Sequence, residues 1–188
     1  MPFIKKQVNY YDFTSTLVEL IYKNIALFNE ECSKSAIINS KQEEQLNNEL
    51  LSAQFVFLSS YMINVYDKEL SHDIQKHLHF ILSIAKISNH KVINRVDFNN
   101  LKVVIDEYIE IYEVVNDQLY LEGRYFNIDK QTLIFEYLKA LDTYLNARIK
   151  KLDIHSQSIE FIINNKSLLF SSLIEVLGNV KSNTKLVF

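Results

Sequence analysis

The chain has 188 residues, 48% of them hydrophobic and 23% charged, which excludes a disordered polymer and leaves enough apolar matter for one buried core. Two glycines and one proline are too few for the hairpins and bulges of a sandwich, a barrel or a dinucleotide-binding sheet, and they cannot build a phosphate-cradling loop. A net charge of −3 supplies no basic stripe for nucleic acid, and the single cysteine, Cys32, excludes an intrachain disulfide and a multi-cysteine zinc site.

The expected fold is all-α, a bundle of about six to eight helices in one helical domain over residues 1–188, with two packed three-helix subbundles as the alternative arrangement. The first helix is predicted over 12–32, with Asp12 as its N-cap and Phe13, Leu17, Leu20, Ile21 and Phe28 on one face. The second begins at Ser40, whose hydroxyl caps it with Glu43 at the capping-box position, and becomes nearly all apolar from Ala53 to Val65. Two apolar sides place that helix at the centre of the bundle. The third covers 71–87, with Ile74, Leu78, Ile81 and Ala85 inward, and a long connection follows over 88–100, with a short helix inside it as the alternative.

The fourth helix, over 98–121, carries an unbroken stripe from Leu101 and Val104 to Val115 and Leu119, and Gly123 ends it as a left-handed cap. Asp129 caps the fifth, which runs to Lys150 with Ile134, Tyr137, Leu138, Leu141, Tyr144 and Leu145 as its face; Lys150 and Lys151 suit its negative dipole end. The sixth covers 156–177, just before Gly178.

Candidate chemistry is sparse. Glu69 and His72 fit one half of the Glu-x-x-His pattern of di-iron bundles, which needs two such pairs and two more glutamates, so capping or chance explains it better. His72, His77, His79 and His90 cluster in sequence, yet His77 and His79 point to different sides of a helix, and no metal, cofactor or catalytic residue is expected. Asp106, Glu107, Glu110 and Glu113, followed by Asp117, lie opposite the apolar stripe of the fourth helix. They read first as a solvated face and second as a partner-docking acidic face. The eleven tyrosines and twelve phenylalanines mostly fall on inward stripes, while Tyr10, Tyr11 and Tyr66 near helix ends are candidate exposed anchors.

The turn Glu122-Gly123-Arg124-Tyr125 carries more. Glycine permits the reversal, Arg124 can hydrogen-bond the orphaned carbonyls of the helix end, and Tyr125 can pack back over the turn. This stretch resembles the DotU/TssL proteins of type IVb and type VI secretion systems, in which a Leu- and Tyr-rich helix runs into a Gly-Phe-x-Gly-Lys/Arg-Tyr turn. Gly123, Arg124 and Tyr125 match, while Tyr120 and Leu121 stand where the family has its first glycine and its phenylalanine. Residues 12–28, 53–58 and 132–150 resemble the family's opening, central and post-turn helices, with Tyr61-Met62-Ile63 in place of its Leu-Asp-Glu.

The resemblance implies a non-enzymatic structural subunit at the cytoplasmic face of the bacterial inner membrane. Its partners would be the IcmF/TssM-like inner-membrane protein and baseplate components, with a C-terminal membrane anchor beyond residue 188 and homodimerisation left open. Lys181 and Lys185 before Leu186-Val187-Phe188 read as a basic flank entering that span. By itself the chain has no signal-peptide run and no stretch of roughly 18 apolar residues, and so reads as soluble and cytosolic. A soluble helical adaptor or chaperone for a secreted effector is the second expectation, with a groove for a partner helix; a helical metalloenzyme is the third.

Overall fold

The computed structural model describes residues 6–35, 38–66, 74–87 and 98–187. They form β1 (Lys6–Asn9), α1 (Tyr10–Ser35), α2 (Ser40–Tyr66), α3 (Ile74–Ile87), α4 (Phe98–Leu121), α5 (Lys130–Ile149), α6 (Ser156–Asn165), α7 (Ser167–Asn183) and β2 (Thr184–Val187). The all-helical bundle expected from composition is the fold observed. One small addition is a two-stranded parallel sheet in which Lys6 pairs with Thr184 and Asn9 with Val187. Lys185, Leu186 and Val187, expected as a flank entering a membrane span, therefore lie in β2, and among the described residues no helix is long and apolar enough to cross a membrane.

The central position of α2 follows from its sequence. Every residue from Leu46 to Met62 is buried, and the helix packs against α1, α3, α4 and α5. Some of its polar residues bond locally or to a neighbouring helix, whereas the Asn48 side chain and the Ser59 hydroxyl are buried with no hydrogen-bond partner among the described residues. Ser52 donates to the Asn48 carbonyl at 2.6 Å and Ser60 to the Phe57 carbonyl at 2.8 Å, while Asn47 accepts from Asn29 of α1 at 2.8 Å. Around this axis α1 packs on α3, α6 and α7, and Phe57 meets Phe170 of α7 edge-on at 6.0 Å.

α2 starts at Ser40 as expected and α1 two residues early, and in both an asparagine is the cap in place of the expected residue. Asn9 rather than Asp12 caps α1, accepting from the Tyr11 and Asp12 amides at 2.8 and 3.3 Å. The helix gains two residues because Tyr10 is buried, its ring stacked on Phe80 at 5.6 Å and its hydroxyl 3.1 Å from His77 Nε2. Asn39 rather than Ser40 caps α2, accepting from Lys41 and Gln42 at 3.0 Å each, and Gln42 Oε1 accepts from the Asn39 amide at 2.9 Å. The reciprocal capping box is therefore Asn39–Gln42, one residue ahead of Ser40–Glu43.

The predicted sixth helix is two. It breaks at Lys166, whose side chain is buried and paired with Asp142 of α5. Asn165 competes with the backbone ladder beside the break by donating to the Phe161 carbonyl at 2.8 Å. Gly178, expected just past a helix end, lies inside α7, which continues to Asn183. On α5 the buried line is Leu133, Tyr137, Leu141, Leu145 and Ile149, with Ile134, Leu138 and Tyr144 half-buried beside it.

Candidate docking surface

The end of α4 is a rigid stop. Gly123 has φ +68°, the left-handed region expected of it. Its amide donates to the Tyr120 carbonyl at 3.0 Å, and the Arg124 and Tyr125 amides both reach the Leu119 carbonyl, at 2.9 and 3.1 Å. These are the bonds of a Schellman cap, so backbone amides satisfy the orphan carbonyls. The Arg124 guanidinium, expected in that role, goes elsewhere, to Glu122 at 2.9 Å and Glu136 of α5 at 3.5 Å. That guanidinium holds the Glu122 carboxyl below its usual range.

The chain then restarts as α5. Asp129 accepts from the Gln131 and Thr132 amides at 3.0 and 2.9 Å and from the Thr132 hydroxyl at 2.5 Å, the N-cap expected there. These bonds, the hydroxyl's foremost, lower the Asp129 carboxyl's pKa. Beneath the turn, Leu119, Leu133 and Tyr137 form a small core separate from the main one. Tyr112 lies over the Tyr137 ring at 4.5 Å, and Tyr137 donates to Asn116 at 2.5 Å. The α4–α5 end is thus fixed by its own packing as well as by its two caps.

What this end presents is apolar. Leu121 is 85% exposed, Phe126 80% and Tyr120 63%, values that leave the first two side chains almost wholly and the third largely in water. Phe126 lies edge-on to Tyr120 at 6.0 Å and to Tyr125 at 5.5 Å. Sequence periodicity does not single out Phe126, because it lies outside any helix; its only signal is adjacency to Tyr125 in a short polar loop. Tyr10 is not an exposed anchor, Tyr11 is 45% exposed, and the Tyr66 side chain lies outside the described residues.

The acidic face of α4 is observed with one member withdrawn. Asp106, Glu110, Glu113 and Asp117 are exposed, whereas Glu107 is half-buried with Oε2 2.8 Å from Arg148 Nη1. Between α4 and α5 runs a groove of about 460 Å³, floored by Ile111 and Val115 on one side and Ala140, Thr143 and Ala147 on the other. Glu122, Arg124 and Glu136 close one end of it.

A charged core site escaped sequence reasoning. Arg148 donates from Nε and Nη2 to Glu49 Oε1 at 3.0 and 2.8 Å, and Tyr108 donates to Glu49 Oε2 at 2.9 Å. Both carboxylate oxygens are occupied, so the cluster ties α2, α4 and α5 together and leaves no free base. The hydrogen bond to Glu49 raises the Arg148 pKa, and burial raises that of Tyr108. The remaining candidates are dispersed. His77 is buried and His79 exposed, as their spacing predicts; Glu69, His72 and His90 lie outside the described residues. Among the described residues no three His, Cys, Asp or Glu come together as metal ligands. Cys32 is buried, and desolvation, helped by Glu31, pushes its thiol up to about 12. Comparison with protein-family models, with curated proteins and with solved structures returns no match for this chain.

Proposed function

We propose that the protein is a non-enzymatic docking subunit of a secretion-system membrane complex of the DotU/TssL kind, working by position alone. In this reading a rigid helical bundle sits at the cytoplasmic face of the inner membrane. There it engages an IcmF/TssM-like membrane protein and baseplate components. The observation that carries the docking part is the α4–α5 end, where Tyr120, Leu121 and Phe126 stand in water on a turn fixed by two caps and a private core. Rigid aromatic side chains lose little entropy on association and are typical binding hot spots. The family part is supported by the residues that the Gly123-Arg124-Tyr125 turn shares with the family's Gly-Lys/Arg-Tyr turn, and by the left-handed glycine that such a turn needs.

Detergent extraction followed by pull-down of the full gene product tests it. The expected result is recovery of the IcmF/TssM-like protein from the same genome, lost when Leu121 and Phe126 are both changed to serine. Recovery unaffected by those changes, or a genome without such a protein, contradicts the reading.

The second reading is a soluble adaptor or chaperone for a secreted effector, favoured by the open groove between α4 and α5. It predicts a soluble partner bound in the absence of detergent and membrane.

A further inference from the structure

The face of α4 that flanks the groove combines two features. After Lys102 the helix carries Asp106, Glu107, Glu110, Glu113 and Asp117 and no cation. Glu107 shares Arg148 with Glu49; among the described residues no cation pairs with Asp106, Glu110, Glu113 or Asp117. Exposed Val103, Val114 and Leu121 recur at spacings that return them to one side of the helix. On that side Glu110, seven residues from Val103, stands between the apolar residues with Asp117 beside them, and the groove runs along the other border. Within the groove the charged residues balance, Glu122 and Glu136 against Arg124 and Lys139. The net field over the surface is therefore acidic and comes from the α4 side.

A groove floored by Ala140, Thr143 and Ala147 leaves a trough for bulky side chains, since alanine and threonine on one helix face keep the backbone close to the surface. A helix laid in it would bury an apolar edge over Ile111 and Val115 and bring its neighbouring edge against Glu110 and Asp117. We infer that the α4–α5 groove receives an amphipathic helix of a partner protein, its apolar stripe bordered by lysine or arginine on the side that meets α4. Lone acidic residues would fix the orientation and hasten encounter; the apolar contact would supply the hold. The inference rests on the second, adaptor reading above, which calls for a groove that takes a partner helix, and names the chemistry of what docks.

The test uses the full chain and two fluorescent synthetic peptides of about 18 residues, long enough to hold a helix. Both carry the same Leu/Phe stripe, bordered by lysine in one and by glutamate in the other, and anisotropy reads the binding. The lysine-bordered peptide is expected to bind at least about tenfold tighter, with affinity falling as salt rises. Ala147→Phe, at an exposed position, fills the trough and is expected to weaken binding about tenfold with an unchanged thermal melt. Glu110→Lys with Asp117→Lys reverses the preference between the peptides. Equal affinity for the two peptides, no binding of either, or binding indifferent to Ala147→Phe overturns the inference. Those results leave recovery of a soluble partner without detergent untouched, and failure to recover one leaves peptide binding untouched, so the two failures are distinguishable.

Discussion

Arg148 of α5 places two hydrogen bonds on a single oxygen of Glu49 in α2, at 2.8 and 3.0 Å, while Tyr108 of α4 takes the other oxygen. Three helices thus share one buried carboxylate. The Glu49 side chain is 5% exposed and that of Arg148 25%, so the glutamate has little water to fall back on if its partner is lost. Arg148→Met is expected to cost toward the lower end of the about 3–5 kcal/mol typical of orphaning a buried charge. Glu49→Leu combined with Arg148→Met should recover part of that loss, because it removes the orphaned carboxylate but leaves the buried Tyr108 hydroxyl without its acceptor. Urea denaturation of the two variants checks the pair, and a double variant as weak as the single one contradicts the account.

The two glycines should respond in opposite directions. Gly123 has φ +68° with open space where a Cβ would sit, so Gly123→Ala costs about 1 kcal/mol through backbone strain alone. Gly178 lies within α7, also with open space around it, and Gly178→Ala should stabilise by about 0.5–1 kcal/mol through helix propensity. Thermal melts that move the same way for both changes would refute this.

Burial raises the Cys32 thiol from 9.0 to about 12. A group whose pKa is raised on folding keeps its proton in the folded chain while the unfolded chain has already released its own. Its contribution to stability is therefore complete below pH 9.0 and lost as pH rises toward about 12. Denaturation midpoints should fall across that window, and the fall should be shallower in Cys32→Ala. At neutral pH the native thiol should resist a disulfide reagent that labels the unfolded chain at once.

Two substitutions distinguish the observed from the expected cap of α2. Asn39→Ala should destabilise by about 1 kcal/mol, because two amides lose their acceptor, whereas Ser40→Ala should be close to neutral. The reverse order of effects would restore the cap to Ser40.

Helix periodicity made α4, the centrality of α2, the Gly123 stop and the Asp129 cap legible, because each depends on local spacing or on one residue's conformational range. The split at Lys166 was not legible. The continuous apolar pattern of 156–177 hides a buried lysine whose reason to be inside, Asp142, lies on another helix. Glu49 is the same kind of case. In sequence it belongs to the polar start of α2, and only the approach of α4 and α5 reveals a structural charge. The acidic face was visible from spacing, but the diversion of Glu107 to Arg148 depends on that same tertiary approach. Phe126 was missed because a loop aromatic has no period to betray it, and exposure is a property of the fold.

The central claim is that the α4–α5 end is the surface this protein uses to meet its partner. A photo-crosslinking phenylalanine analogue placed at Phe126, compared with one at the exposed Leu27 of α1, tests it most directly in living cells. The account predicts a discrete adduct to one partner from position 126 and none from position 27. An adduct from position 27 with none from position 126 would contradict it.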